Sequence, residues 1–206
     1  MKFTTRQDFP TILPTSKTLF CWECRSTNVA KTCDDNGNTC FICNDCHKQS
    51  PRVLIYDNNM QQHFDNQDRL VHESCGMFLK NSKGQILLFK RVKYPYLLTI
   101  PAGHLEIEEK PIDCAIRETY EEIGIKTTNP ELVFCDNIEG DSCLGGADIH
   151  HWSAYIVQIN EDVNVKLDEE GSDWGWYNVS DLNTSNTVQP VLIILANANV
   201  IKSLSK

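Results

Sequence analysis

Hydrophobic positions along this chain fall into short alternating or continuous runs before residue 103, a helical stripe after it, and strands again beyond. Val29–Cys33 and Thr39–Ile42, divided by the turn-forming Asp34 to Asn38, read as strand, turn and strand. Arg52 to Tyr56 reads as one more strand. The following DNNMQQHFDNQDR is polar, with little to bury, and reads as a connector. Cys75 to Leu79 and Gln85 to Lys90, separated by Asn81-Ser82-Lys83-Gly84, predict an apolar hairpin. Leu97 to Ile100 predicts a short strand that Pro101 ends.

Ile112, Ala115 or Ile116, Thr119 and Ile123 then recur at three- and four-residue spacing, the buried stripe of a helix of about a dozen residues. Pro111 suits its first turn, and Gly124 suits the left-handed residue that stops it. Further strands are expected near Leu132 to Asn137, Ile149 to Ile159 and Trp174 to Tyr177, with a closing amphipathic helix from Val188 to Leu204. Strands interleaved with two helices make an α/β chain. No internal repeat is present.

The predicted helix carries Glu118, Glu121 and Glu122 at i, i+3 and i+4, so three carboxylates crowd one surface. Like charges so placed repel unless something positive sits among them, and a divalent magnesium or manganese ion is the natural occupant. A solvated acidic face is the ordinary meaning of an isolated E-x-x-E-E. Arg117 beside the cluster and Glu109 on the preceding loop argue against it here.

Gly103, Glu109, Arg117, Glu118, Glu121, Glu122 and Gly124 stand in the order G-x5-E-x7-RE-x2-EE-x-G. Seven fixed positions arise by accident on the order of once in a million chains of this length. The string resembles the Nudix box, the signature of hydrolases that cleave nucleoside diphosphates linked to another moiety. The resemblance implies an α/β/α sandwich with a mixed sheet. It also implies a metal shell of Glu118, Glu121 and Glu122 joined by the Ala102 carbonyl. Relatives often carry Gly-Gly at the turn and Gly before the box glutamate, where this chain has Ala102 and Glu108. Thr119 replaces the usual aliphatic residue.

An auxiliary carboxylate is expected from Leu167 to Trp174. Glu170 is the first choice, with Glu169 and Asp173 close behind. For catalysis, Glu118 is the expected general base, Glu121 acts with it, and Arg117 is grouped with them as the cation that orients Glu109 and Glu121. His104, directly after the box glycine, is placed to touch a phosphate. The six histidines otherwise show no metal-ligand spacing and are expected as ordinary surface or pocket residues.

The ten cysteines change the picture of the first fifty residues. Cys21-x2-Cys24 and Cys43-x2-Cys46, separated by eighteen residues, look like a zinc ribbon, whose four thiolates close a tetrahedral structural zinc site. So short a segment cannot bury enough apolar surface to fold alone. Cys40 in place of Cys43 or Cys46 is the competing ligand. Cys33 and Cys40 are otherwise expected as strand fillers, and Cys75, Cys114, Cys135 and Cys143 as scattered residues. The expected organisation is a zinc-ribbon-like domain over 1–50, a linker over 51–72 and a catalytic domain over 73–206.

A formal net charge of −9 argues against nonspecific binding to nucleic acid or anionic membrane. No apolar run reaches the length of a membrane span and the N-terminus shows no signal pattern, so a cytoplasmic location is expected. The expected partner is a small nucleotide diphosphate-type substrate, with a homodimer left open. Two functions follow: a pyrophosphohydrolase acting on a nucleotide sugar, dinucleotide or nucleoside triphosphate, or a binding module that senses a nucleotide while the ribbon contacts protein or nucleic acid. All three box glutamates are intact, which favours the enzyme. Zinc ribbons also precede the catalytic domain in NADH pyrophosphatases, but the SQPWPFPxS motif of that subfamily is absent, and Gly140 to Asp148 reads GDSCLGGAD.

Overall fold

The computed structural model describes residues 14–67, 69–140, 143 and 145–197. Among the described residues, one eight-stranded sheet, two three-stranded sheets, two α-helices and a single 3-10 turn (Val179–Asp181) account for the regular structure. In the N-terminal segment, β1 (Thr18–Cys21) precedes the antiparallel β2 (Val29–Cys33) and β3 (Thr39–Cys43), and β4 (Gln49–Ser50) adds to β3. The turn between β2 and β3 is fixed by the Asp34 carboxylate, which accepts from the backbone N–H groups of Asn36 and Asn38, and by Gly37 at φ 80°.

Residues 51–72 hold more than a connector. They contain β5 (Val53–Tyr56), β6 (Gln62–Phe64) and the first residues of β7 (Leu70–Lys80). β5 pairs with β1, and β6 pairs with β7. Two glutamine side chains of this stretch bond to backbone carbonyls. Gln61 Nε2 donates to the carbonyls of Glu106 and Glu109, and Gln62 Nε2 to that of Asp57.

β7 is the centre of the main sheet. Its neighbours are β8 (Ile86–Arg91), β10 (Ala102–His104) and, in parallel, β13 (Ile149–Gln158). Beyond them, β9 (Leu98–Thr99) and β14 (Gly171–Tyr177) pair with β8, and β11 (Glu131–Glu139) pairs with β13. The mixed sheet is therefore built on one long strand buried on both faces, which is why residues 75–79 read as a continuous apolar run.

Helix α1 (Pro111–Ile123) covers one face. Cys114, Ala115 and Ile123 pack with Met77, Leu79, Leu87 and Phe89. Gly124 closes it at φ 72°, its N–H bonded to the Tyr120 carbonyl. Thr119, unusual at a buried position, satisfies its hydroxyl on the Ala115 carbonyl at 2.6 Å. Helix α2 (Gln189–Leu195) covers the other face, where Val191, Ile194 and Leu195 meet Phe78, Leu88, Trp152 and Ile156. The result is an α/β/α sandwich. The helix expected to run to Leu204 ends at Leu195, and its last residues lie outside the described ones.

Cys75 and Cys114, expected as scattered single residues, are paired as a disulfide that ties β7 to α1. The register explains the pairing, because odd-numbered β7 residues face α1 and Cys114 lies on the helix side turned to them. The N-terminal segment joins the sandwich through β12 (Gly145–Gly146), which runs parallel to β5, and through a small core of Phe20, Leu54, Leu70 and Ala147. Arg52 stacks on Trp22 at 4.2 Å and donates to the Cys143 carbonyl.

Candidate active site

Three elements converge where β10 leaves the β9 turn. Gly103 faces α1, and the carboxylate of Glu118 lies directly against its backbone. A methyl at Gly103 would sit 2.0 Å from Glu118 Oε1 and 2.2 Å from its Cδ, so only glycine admits that carboxylate. The next helical turn brings Glu122 to the same loop, where its Oε2 accepts from the Ala102 N–H at 2.9 Å.

Arg117 is the internal counter-ion of the cluster. Its Nε and Nη2 grip Glu109 at 2.8 and 2.9 Å, while Nη1 donates to Glu118 at 2.7 Å and to Glu121 at 2.9 Å. One guanidinium thus spaces three carboxylates, and its five donors in a fixed fork suit that task as an ammonium would not. Arg117 thus ties the three carboxylates to one another. Its hydrogen bonds hold the Glu109 carboxyl below the usual range.

The three helix glutamates differ in environment. Glu121 is largely exposed at its side chain, whereas Glu118 is mostly covered. Burial raises the Glu118 carboxyl above the ordinary value against the opposing charge of Arg117. Glu122 is buried outright, not on a solvated face. Burial pushes it up to about 8, opposed by the Ala102 amide and aided by the nearby charge of Glu118. Two carboxylates enclosed at one spot and destabilised as anions are what a divalent cation would relieve, and the donors are hard oxygens suited to magnesium or manganese.

Outside the helix, the charges acting on Glu122 come from Arg91 and Asp168. Glu170, the expected auxiliary ligand, instead pairs with Lys93. Glu169 and Asp173 are exposed. Asp168, whose backbone N–H donates to the Glu122 carbonyl, is one of four acidic residues in this segment with no periodicity to rank them. Arg91 offered a signal, since it is the cation ending the apolar strand just before the catalytic loop.

Arg91 also lines a pocket together with Ala102, Gly103 and His104, so the pocket and the carboxylate cluster share the Ala102–Gly103 backbone. Pro95, Trp152, Val188 and Pro190 supply an apolar wall. The guanidinium Nε of Arg91 is enclosed with no hydrogen-bond partner among the described residues. His104 does reach the pocket, on the opposite face of the sheet from α1.

The N-terminal cysteines form a second centre. The sulfurs of Cys21, Cys24, Cys43 and Cys46 cluster within 4.8 Å, with Cys21–Cys46 and Cys24–Cys43 each 3.6 Å apart. Each C-x-x-C closes a matching knuckle. Arg25 and His47, the residues after the second cysteines, adopt φ 63° and 57° and donate backbone N–H groups to the carbonyls of Cys21 and Cys43. The Cys46 amide, ahead of burial and the Asp45 amide, sets the balance that brings the Cys43 thiol down to about 7. Cys40 is not part of the cluster; its sulfur lies 2.8 Å from Gln49 Nε2.

Comparison with known proteins bears on the family and the fold. Human diphosphoinositol polyphosphate phosphohydrolase 2 is 32% identical over 74 residues, 36% of this chain, and the chain spans only 41% of that relative's length. Among solved structures, the MutT NUDIX hydrolase from Burkholderia pseudomallei superposes with a TM-score of 0.50 at 24% identity, over 62% of this chain and 98% of that one. The NUDIX domain of Shewanella oneidensis NrtR, crystallised with ADP ribose, gives a TM-score of 0.51 at 14% identity, over 65% and 88%. The NUDIX domain family itself matches residues 70–195, more than half of the sequence and the whole of the α/β/α sandwich. The chain belongs to the Nudix family.

Proposed function

We propose that this protein is a metal-dependent hydrolase of the pyrophosphate bond in a nucleoside diphosphate linked to another moiety, releasing a nucleoside monophosphate and a second phosphorylated product. The observation that carries the reading is the meeting of Glu118 and Glu122 on the Ala102–Gly103 backbone, the same backbone that lines the Arg91 pocket from its other side. Glu118, Glu121 and Glu122, with the Ala102 carbonyl, would hold magnesium or manganese, which neutralises phosphate oxygens and acidifies water.

The chain's own residues do the remaining work. Glu118 accepts the proton of the attacking water, and its enclosure, which raises its proton affinity, suits a base working near neutral pH. Arg117 fixes Glu118, Glu121 and Glu109 in place without touching substrate. Arg91, a cation lining the pocket, meets a phosphate oxygen; its enclosed Nε has no partner among the described residues. The Trp152, Val188 and Pro190 wall receives the less polar part of the substrate. Asp168 serves as the acidic group on the loop opposite the helix in preference to Glu170, since its backbone N–H donates to the Glu122 carbonyl at 3.0 Å while Glu170 pairs with Lys93. Zinc at Cys21, Cys24, Cys43 and Cys46 is structural, with all four positions taken by thiolates.

The test is a screen of nucleotide sugars, dinucleotides, nucleoside triphosphates, ADP ribose and a diphosphoinositol polyphosphate with magnesium or manganese, products being identified by mass spectrometry. Cleavage between two phosphorus atoms of at least one compound is expected. Tight nucleotide binding with no turnover under any metal would replace the enzyme with a nucleotide sensor.

A further inference from the structure

The parallel pairing of β13 with β7 sets His150 beside His72, and the pairing of β10 with β7 sets His104 beside Ser74, one step further along the same face. That face is the one covered by α2, away from the α1 carboxylates. The three imidazole rings lie 5.2, 5.4 and 5.5 Å apart between centroids, and one ring nitrogen from each falls within 4.8 Å of the others. His72 and His150 are buried, while His104 and His150 line the pocket.

The tautomer of His72 is fixed by its surroundings. Its Nε2 lies 3.1 Å from the Ile55 carbonyl, which can only accept, so Nε2 carries the hydrogen and Nδ1 the lone pair. That lone pair is enclosed and has no hydrogen-bond partner among the described residues. Burial, then the neighbouring His104 and His150, holds the ring well below the usual imidazole range and therefore neutral, the form that binds metal. An inward histidine with its second nitrogen tied to a backbone carbonyl is how a ligand ring is normally held. Left without a partner, an enclosed lone pair costs about 1–3 kcal/mol, which an aliphatic residue in a buried strand would avoid.

We propose that His72, His104 and His150 hold one divalent cation of the zinc, cobalt or nickel class at the floor of the pocket, separate from the carboxylate site. Three imidazole nitrogens suit these borderline ions, whereas magnesium takes oxygen ligands. Metal–nitrogen distances of about 2.0–2.1 Å require the rings to close by roughly 1 Å from their present positions. Three protein nitrogens leave a coordination position open toward the pocket, for water or an anionic oxygen of a ligand. The site makes no use of the hydrolase reading and stands or falls without it.

Cobalt is the probe. Full-length protein with zinc already in its cysteine site, kept in excess magnesium to occupy the carboxylates, is titrated with Co2+ and studied by X-ray absorption at the cobalt edge. One cobalt per chain is expected, with outer-shell scattering from about three imidazoles. Affinity should fall ~100-fold or more in His72→Gln and His150→Gln and stay unchanged in Glu121→Gln. Scattering from oxygen or sulfur alone, or folded histidine variants that bind cobalt as the parent does, would overturn the proposal. Should both variants fail to fold, the spectrum of the unaltered protein decides, imidazole scattering supporting the site and its absence rejecting it.

Discussion

Gly103→Ala adds one methyl group at the point where the backbone and the Glu118 carboxylate touch. The new carbon would stand 2.0 Å from Oε1, and ordinary contact begins near 3.4 Å, so the carboxylate must retreat by ~1.4 Å. Its 2.7 Å hydrogen bond to Arg117 cannot survive that shift. Displacing a reacting group by about 1 Å costs on the order of 10²-fold in rate, or about 2.7 kcal/mol of barrier. Stability should change little, because what moves is the free end of a flexible side chain and Gly103 does not occupy a left-handed conformation. The assay is steady-state hydrolysis at saturating magnesium beside a thermal melt. A fall in kcat of ~10²-fold is expected, with KM changed less than kcat and Tm within about 3 °C of the parent. A variant with kcat within twofold of the parent, or one that loses folding along with activity, would refute the placement of Glu118 at the reacting centre.

Because Glu122 is raised to about 8, the folded state keeps a proton that the unfolded state has released, so in magnesium-free buffer stability should decline as pH climbs from the usual carboxylate range to about 8. Magnesium should accordingly raise Tm more at pH 8 than at pH 6, and an equal rise at both would contradict the assignment. Glu108 holds φ 63°, a conformation glycine adopts freely, so Glu108→Gly should raise Tm by roughly 1–3 °C through relief of left-handed strain; a lower Tm would show that the Glu108 side chain stabilises the loop. Cys24→Ser should lower zinc content by one ion per chain by elemental analysis while the Cys75–Cys114 sandwich still melts cooperatively, and unchanged zinc would remove Cys24 from the site.

What the sequence disclosed and what it concealed divide along a physical line. Local spacing settled α1, since Pro111, the apolar stripe and Gly124 fix its ends and faces within one segment. The two C-x-x-C pairs and the R-E-x-x-E-E string were legible for the same reason. Contacts between distant segments were not. Glu122 looked like one of three surface carboxylates, yet the Ala102 amide draws it inward, which no helical wheel reveals. The disulfide needed the β7 register against α1, and the three histidines, at positions 72, 104 and 150 with no motif spacing, meet only because β10 and β13 both flank β7. The stretch from 57 to 69 looked like polar filler because its side chains satisfy backbone groups, a use of Gln and Asp that hydropathy does not register.

The most direct trial of the hydrolase account is turnover in water enriched in 18O, comparing the unaltered chain with Glu121→Gln on the best compound from the screen. Glu121→Gln keeps the shape of an exposed helix position and removes one charged ligand. The account predicts one 18O atom in one of the two phosphorylated products from the unaltered chain, and at least ~10²-fold slower release from the variant at equal Tm. Equal turnover in the variant, or a nucleotide bound but never cleaved by the unaltered chain, would contradict it.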